Sequence, residues 1–398
     1  MSKIENEKTV GYRDILKDNA WKFIILLGLV SLLADMTYEG ARSITGPYLA
    51  ILGASAAVVG LVSGLGELVG YGLRFISGYL SDKTHRYWSI TITGYVVNLL
   101  AVPLLALAGS WEIAAILLIL ERLGKAIRTP ARDVMLSHAT SSVSSRWGFG
   151  FHEAMDQVGA ILGPLMVAII FYCSGSYQMS FAFLIIPAIL ALSVLVLSRF
   201  LYPRPHDLES SMPKFEGKGF KHVYWLYIIA VALIAAGYTD FPLIAYHFQK
   251  AGVMMGGTIA IFYSFAMGVD AIAALVFGKL YDKVGISIMV VVALLSAFFA
   301  PLVFFGVFYA ALAGMAIWGV GMGAQESIMR AAVAGMSSAE RRGVAYGVFK
   351  TIFGIFWFAG SLTMGILYEV SILYLVLFSM VIQLLSIPIF LLVSRLKD

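Results

Sequence analysis

An all-α membrane protein of twelve transmembrane helices in two pseudo-symmetric six-helix bundles is the fold the sequence predicts, and three observations carry it. Hydrophobic residues make up 60% of the 398 and charged ones only 13%, with a mean hydropathy of +0.88, a balance that water-soluble domains of this length do not reach. Apolar runs of about 20 residues, long enough to cross a bilayer as helix, recur twelve times. One loop also appears twice, at matching places in the two halves.

Taken in order, residues 1–20 are polar, with Lys3, Lys8, Arg13 and Lys17. They are expected to form a cytoplasmic tail, part of which can lie along the membrane as an amphipathic piece. A first bundle, 21–200, holds spans at 22–48, 56–81, 88–109, 112–137, 146–172 and 178–200. Residues 201–221, with Pro203, Pro205, Pro213, Gly217 and Gly219 among charged side chains, read as a solvated linker. A second bundle, 222–398, holds spans at 222–248, 257–280, 286–306, 309–335, 343–367 and 371–394. Lys and Arg collect at the N-terminus and in 83–86, 125–146, 199–221, 279–283, 330–342 and 395–397, whereas the alternate loops hold only Lys250. The positive-inside rule therefore predicts that the linker and both termini are cytoplasmic, and a multi-pass protein of the plasma membrane is expected. The lone Cys173 excludes an internal disulfide and a cysteine-built metal cage. No short hydrophobic region with a cleavage site precedes the first run, so that run is read as a retained span. Trp21, Trp88, Trp111 and Trp225 fall at span ends, as interfacial anchors do.

The repeated loop reads Gly78-Tyr-Leu-Ser-Asp82-Lys83-Thr-His85-Arg86 and returns as Gly278-Lys-Leu-Tyr-Asp282-Lys283-Val-Gly-Ile286. Physically, each glycine permits close helix approach, and each aspartate can accept hydrogen bonds from a neighbouring helix start while drawing a cation. The pattern resembles the loop between helices 2 and 3 of the major facilitator superfamily and its echo between helices 8 and 9, a family of solute transporters. The resemblance implies a gating latch at Gly78, Asp82, Lys83 and Arg86, with a weaker one at Gly278 and Asp282, where Ile286 stands in place of the usual basic residue. Arg128 and Arg132, at the basic end of span 4, are expected to reach Asp82 and close it.

Charged side chains inside a span cost about 2.5–3.5 kcal/mol on insertion scales, so each calls for a partner, a wet cavity or a function. Asp35, Glu39 and Arg42 in span 1 are spaced four and three apart and share one face. They read either as a Glu39–Arg42 pair that merely holds span 1 to a neighbour or, preferred here because the pairing leaves Asp35 unmatched, as an ion or proton site facing a cavity. Arg122 in span 4 lies near the midplane and resembles the intramembrane arginine that the superfamily links to proton transfer. In span 7 an acid one turn from a helix breaker, Asp240 before Pro242, is expected to look across the cavity toward Asp35 and Glu39. Glu39 and Asp240 correspond between the halves, 201 positions apart, and so do Glu153 and Lys350, 197 apart. Glu67 in span 2 and Lys350 in span 11 come out at similar depths and are expected to pair between halves. Gly159 and Gly163-Pro164 in span 5 resemble the antiporter motif, whose glycines pack against the other half. Glu153 and Asp156, beside them in His152-Glu153-x-x-Asp156, read as charge partners across the halves. The second histidine of a zinc-hydrolase helix is missing, so no metal site is expected.

These features point to a secondary active transporter working by alternating access, with proton-coupled export of a small amphipathic or cationic solute as the preferred activity, resembling the drug and solute exporters of the superfamily. Uptake by symport is the alternative, and a divalent-metal exporter a more distant one. An intramembrane enzyme would need a nucleophile or metal set, and a sensor an appended soluble domain. Neither is legible, and there is no phosphate-binding Gly-x-x-x-x-Gly-Lys-Ser/Thr loop for a primary pump. No cofactor and no nucleic acid is expected. The expected partners are a small-molecule substrate, protons and the lipid bilayer, and the chain is expected to act as a monomer.

Overall fold

The computed structural model describes residues 3–143, 145–204, 222–337 and 342–397, with side chains described from Asp18 onward except at 141, 142, 145, 146, 342, 343 and 397; the expected linker lies outside these from residue 205. Within them every regular element is helical. Nine stretches are long and apolar enough to cross a membrane, and one of these, Gly257–Phe304, is 48 residues long. It turns back through the 3₁₀ turn Gly285–Ser287 and so supplies two crossings. The charged helix Trp111–Val143 and the helix opening at Phe308 bring the crossings to twelve.

Spans 1 to 5 are the helices Lys3–Ile51, Ala56–Thr84, Tyr87–Leu104, Trp111–Val143 and Ser145–Ser174. Helix thus begins within the stretch expected as a tail. Span 6 comprises Tyr177–Phe183 and Ile185–Leu201, and span 7 comprises His222–Gly237 and Phe241–Lys250. Span 8 is Gly257–Val284, and span 9 comprises Ile288–Ser296 and Phe299–Phe304. Span 10 runs from Phe308–Ala324 through a wide π turn, Gln325–Met329, into Arg330–Met336. Arg342–Val370 and Ile372–Lys397 are spans 11 and 12. Short loops are set by local chemistry. The Ser55 hydroxyl accepts from the Val58 amide at 3.3 Å to cap span 2, and His85 ends it in the left-handed region, at φ +53°.

The halves meet where span 1 faces span 7, span 2 faces span 11, and span 5 faces span 8. At the lysine-poor end these seams are closed to backbone contact. Gly46 lies so near the Pro242 carbonyl that any side chain would overlap it, and Gly60 is pressed in the same way on the Ser361 carbonyl. The Ala56 amide donates to Glu369 Oε1 at 2.6 Å, and Ser264 donates to the Ile161 carbonyl at 2.9 Å. Toward the basic end the seams part. A Cβ built on Gly347 would meet only the Phe75 ring, 3.9 Å away, while Gly150 and Gly268 face open space. Between the halves lies a cavity of about 320 Å³.

Candidate functional site

The break in span 7 places the first charge. Pro242 has no amide hydrogen, and the chain leaves helical geometry at Tyr238–Asp240 before resuming at Phe241. Asp240 caps the new helix by accepting from the Phe241 amide at 2.9 Å. The same oxygen receives Arg42 Nη2 at 2.6 Å, with the two side chains 3% and 12% exposed. A Glu39–Arg42 pair was one of the two readings of span 1, and Asp240 was expected to look across the cavity toward Asp35 and Glu39. Instead the tight pair is Arg42–Asp240, joining span 1 to span 7, and Glu39 stands off at 4.0 Å. Glu39 accepts from the Tyr263 hydroxyl of span 8 at 2.5 Å.

From Arg42 a charge chain runs back into the first half. Glu67 lies 3.6 Å from Arg42 and 3.2 Å from Arg122. Arg122 also meets Glu121 at 3.3 Å, and Glu121 accepts from Asn98 Nδ2 at 2.8 Å. Gly66 makes room for this, since a Cβ there would lie 3.0 Å from the Arg122 side chain. The expected Glu67–Lys350 pair is therefore absent. Glu67 is held by the two arginines, and Lys350 lines the cavity without an ion pair among the described residues. Asn98 carries no charge, so the chain ends there, on span 3, and does not reach span 11.

Asp35 stands apart. It is 7% exposed and faces the cavity, and no Lys, Arg or His forms an ion pair with it among the described residues. The cation on the same wall, Lys125, lies instead over the Tyr38 ring, 3.8 Å from its centroid. Eight acids and eight cations line the cavity, so its wall is no one-signed field, and recognition must rest on local groups.

Span 5 corrects a further expectation. Gly159 and Gly163 do not pack against the other half. They press on the Leu32 and Met36 carbonyls of span 1, and a Cβ on Gly159 would sit 2.9 Å from that of Asp35. At this seam Gly257 of span 8 is packed on span 5, where an added Cβ would lie 3.0 Å from the Ala168 carbonyl. Pro164 lies within the unbroken helix Ser145–Ser174. His152 bonds Ser31 at 3.1 Å and lies 3.9 Å from Asp156. Glu153 reaches across the halves to Arg330 at 3.2 Å. Gln157, which sequence reasoning passed over, donates to Asp270 at 3.2 Å and Glu326 at 3.5 Å.

The latch residues are separate in this conformation. Asp82 and Asp282 are exposed and form no ion pair among the described residues, and Lys83 and Arg86 are exposed beside Asp82. Arg132 binds Asp133 at 2.7 Å and Ser31 at 3.1 Å, and Arg128 is buried with its guanidinium 4.1 Å from the Tyr95 centroid. The loop motif touches span 4 elsewhere. Ser77 donates to the Ile127 carbonyl at 2.6 Å, and a Cβ on Gly78 would meet Pro130 at 3.6 Å. Gly278 repeats this at Ser327 of span 10, at 3.9 Å. In this conformation both arginines instead find partners in spans 1, 3 and 4.

Comparison with known proteins agrees with this architecture. Residues 27–361 match the family model described as Major Facilitator Superfamily. The Mycobacterium tuberculosis protein called "Uncharacterized protein Rv2265" is 39% identical over 377 residues, covering 93% of this chain and 92% of that one. The "Uncharacterized MFS-type transporter MJ1317" of Methanocaldococcus jannaschii is 28% identical, covering 88% and 89%. Among solved structures, a bacterial homologue of the human lysosomal transporter Spinster superposes with a TM-score of 0.74 at 16% identity, over 96% of this chain and 98% of that one. With a family match over most of its length and twelve crossings around one charged cavity, this chain belongs to the Major Facilitator Superfamily and is a multi-pass membrane transporter, not an enzyme.

Proposed function

We propose that the chain is a proton-coupled exporter of a small amphipathic or cationic solute, acting as a monomer in the plasma membrane by alternating access with both termini cytoplasmic. The observation that carries the reading is Asp35, a buried cavity acid without an ion pair among the described residues, while Glu39, Glu67, Glu121 and Asp240 each lie within 4.0 Å of an arginine. A poorly hydrated carboxylate without an ion pair is stabilised by taking up a proton. Asp35 is therefore assigned the proton, and the Arg42–Glu67–Arg122 chain the task of joining spans 1, 2, 4 and 7. A cation entering the same cavity disfavours the proton on Asp35, which couples the two fluxes by linkage. The Lys- and Arg-rich end, where the cavity is parted, is read as cytoplasmic, so the described conformation faces inward, with the latch at Asp82 engaged only in the outward-facing state. The exporting direction follows the likeness of the span-1 acids to exporters of the superfamily.

The test is proton movement in everted vesicles on addition of candidate solutes, comparing the wild type with Asp35→Asn. Proton-driven accumulation should vanish in the variant while downhill counterflow is partly retained. Accumulation by Asp35→Asn against a gradient, in response to a pH difference, would sink the assignment.

A further inference from the structure

On the cavity wall, spans 5, 8 and 10 build a polar node that the charge chain does not use. Gln157 Nε2 donates to both Asp270 and Glu326, which fixes the orientation of its amide and leaves Gln157 Oε1 as an acceptor. That oxygen, Asp270 Oδ1 and Gln325 Oε1 are all buried and without a hydrogen-bond partner, as is Gln325 Nε2. Asp270 is 2% exposed and Gln325 5%, and both line the cavity with Gln157 and Glu326. Buried polar atoms are rarely left unbonded in a folded protein, so several on one cavity wall call for a ligand or water.

The node sits on the π turn Gln325–Met329. Gln325 and Glu326, its first two residues, both line the cavity. Such a turn inserts one extra residue, and these turns are frequent at functional sites. The Arg330 guanidinium is turned to Glu153 at 3.2 Å and to the Glu326 main-chain carbonyl at 2.7 Å, and among the described residues neither Asp270 nor Glu326 has an ion pair. An ammonium group brings one positive charge and up to three N–H donors, against three orphaned acceptors, one of them on Asp270, with the Glu326 carboxylate beside them. Span 11 meanwhile offers an apolar wall at helical spacing, Phe349, Phe353 and Trp357.

We propose that Gln157, Asp270, Gln325 and Glu326 form the solute's headgroup site and accept a protonated primary or secondary amine whose aromatic or apolar body lies on span 11. The proposal rests on the reading of this cavity as the pathway of a cationic or amphipathic solute and names the chemistry recognised.

Purified protein in lipid nanodiscs is titrated calorimetrically with 2-phenylethylamine, its N,N,N-trimethyl derivative and 3-phenylpropanoate. The primary amine should bind about ten-fold or more tighter than the trimethyl compound, the loss expected when charge-assisted hydrogen bonds are removed at constant charge. The carboxylate should bind more weakly still. Gln325→Leu and Asp270→Asn should each weaken the primary amine by a similar factor, with thermal unfolding recorded to confirm folding. The wild-type comparison of the three probes stands even if a variant fails to fold. Equal binding of amine and trimethylammonium would reduce the node to a general negative field and overturn the proposal. So would tighter binding of the carboxylate, binding of none of the three, or indifference to Gln325→Leu in a folded variant. Proton flux is measured separately on the wild type. Selective amine binding without proton flux leaves the node standing and removes the coupling, whereas flux without amine selectivity does the reverse.

Discussion

Replacing Asp240 by Asn tests how the closed end is held. Asparagine caps a helix about as well as aspartate, so the restart of span 7 should survive and the change should fall on the Arg42 pair. Removing one partner of a buried ion pair costs about 3–5 kcal/mol. Here the loss is smaller, because Arg42 retains Glu67 at 3.6 Å and Glu39 at 4.0 Å, and about 2 kcal/mol is a reasonable share. The pair joins spans 1 and 7 where Gly46 already sits against Pro242. It is therefore lost when that end opens, and the whole of that energy acts on the conformational equilibrium. At about 1.4 kcal/mol per decade this is a shift of roughly 30-fold toward the state open at the lysine-poor end, which would take a minor state of about 1% to about a quarter of the population. Spin labels at Leu107 and Val307, exposed positions of the two halves at that end, would read the change by double electron resonance, with the exposed Cys173 replaced by Ser. A second, longer distance should appear in Asp240→Asn. An unchanged distribution would mean that backbone packing alone holds the end closed.

Other outcomes follow from the same contacts. Gly46→Ala should lower thermal stability by about 1–3 kcal/mol through overlap with the Pro242 carbonyl, whereas Gly70→Ala, facing open space, should be neutral or stabilising by up to ~1 kcal/mol. Glu67→Gln and Arg122→Gln should be non-additive in thermal unfolding by about 0.5–3 kcal/mol, while Glu67→Gln and Lys350→Gln should add; the reverse pattern would restore the inter-half pair. If Asp82 is the latch of the closed state, Asp82→Asn should raise the population open at the basic end, because among the described residues Asp82 has no ion pair to lose in this conformation. Labels at Thr84 and Val284 would show it, and an unaltered distance would remove the latch.

The twelve spans, the duplicated loop and the identity of the buried charges were legible in the sequence because each answers to a local rule. A bilayer demands about 20 apolar residues per crossing, a buried charge is conspicuous against them, and Pro242 breaks a helix wherever it packs. Partner choice answers to no local rule. Arg42 has Glu39 three positions away, yet takes Asp240 at a separation of 198, because the break in span 7 turns that carboxylate into the seam between the halves. Glu67 and Lys350 match in depth, but the rotation of span 2 presents Glu67 to spans 1 and 4. Gly159 and Gly163 could have served either neighbour, and only the position of span 1 against span 5 decided between them. The π turn at Gln325–Met329 left no mark in the sequence, since its extra residue is accommodated by packing against span 8, where a side chain on Gly323 would collide with the Asp270 carbonyl. Depth and charge are properties of one helix read against the membrane. Which charges meet depends on how twelve helices are rotated about their axes, and that is set by packing among residues far apart in the chain.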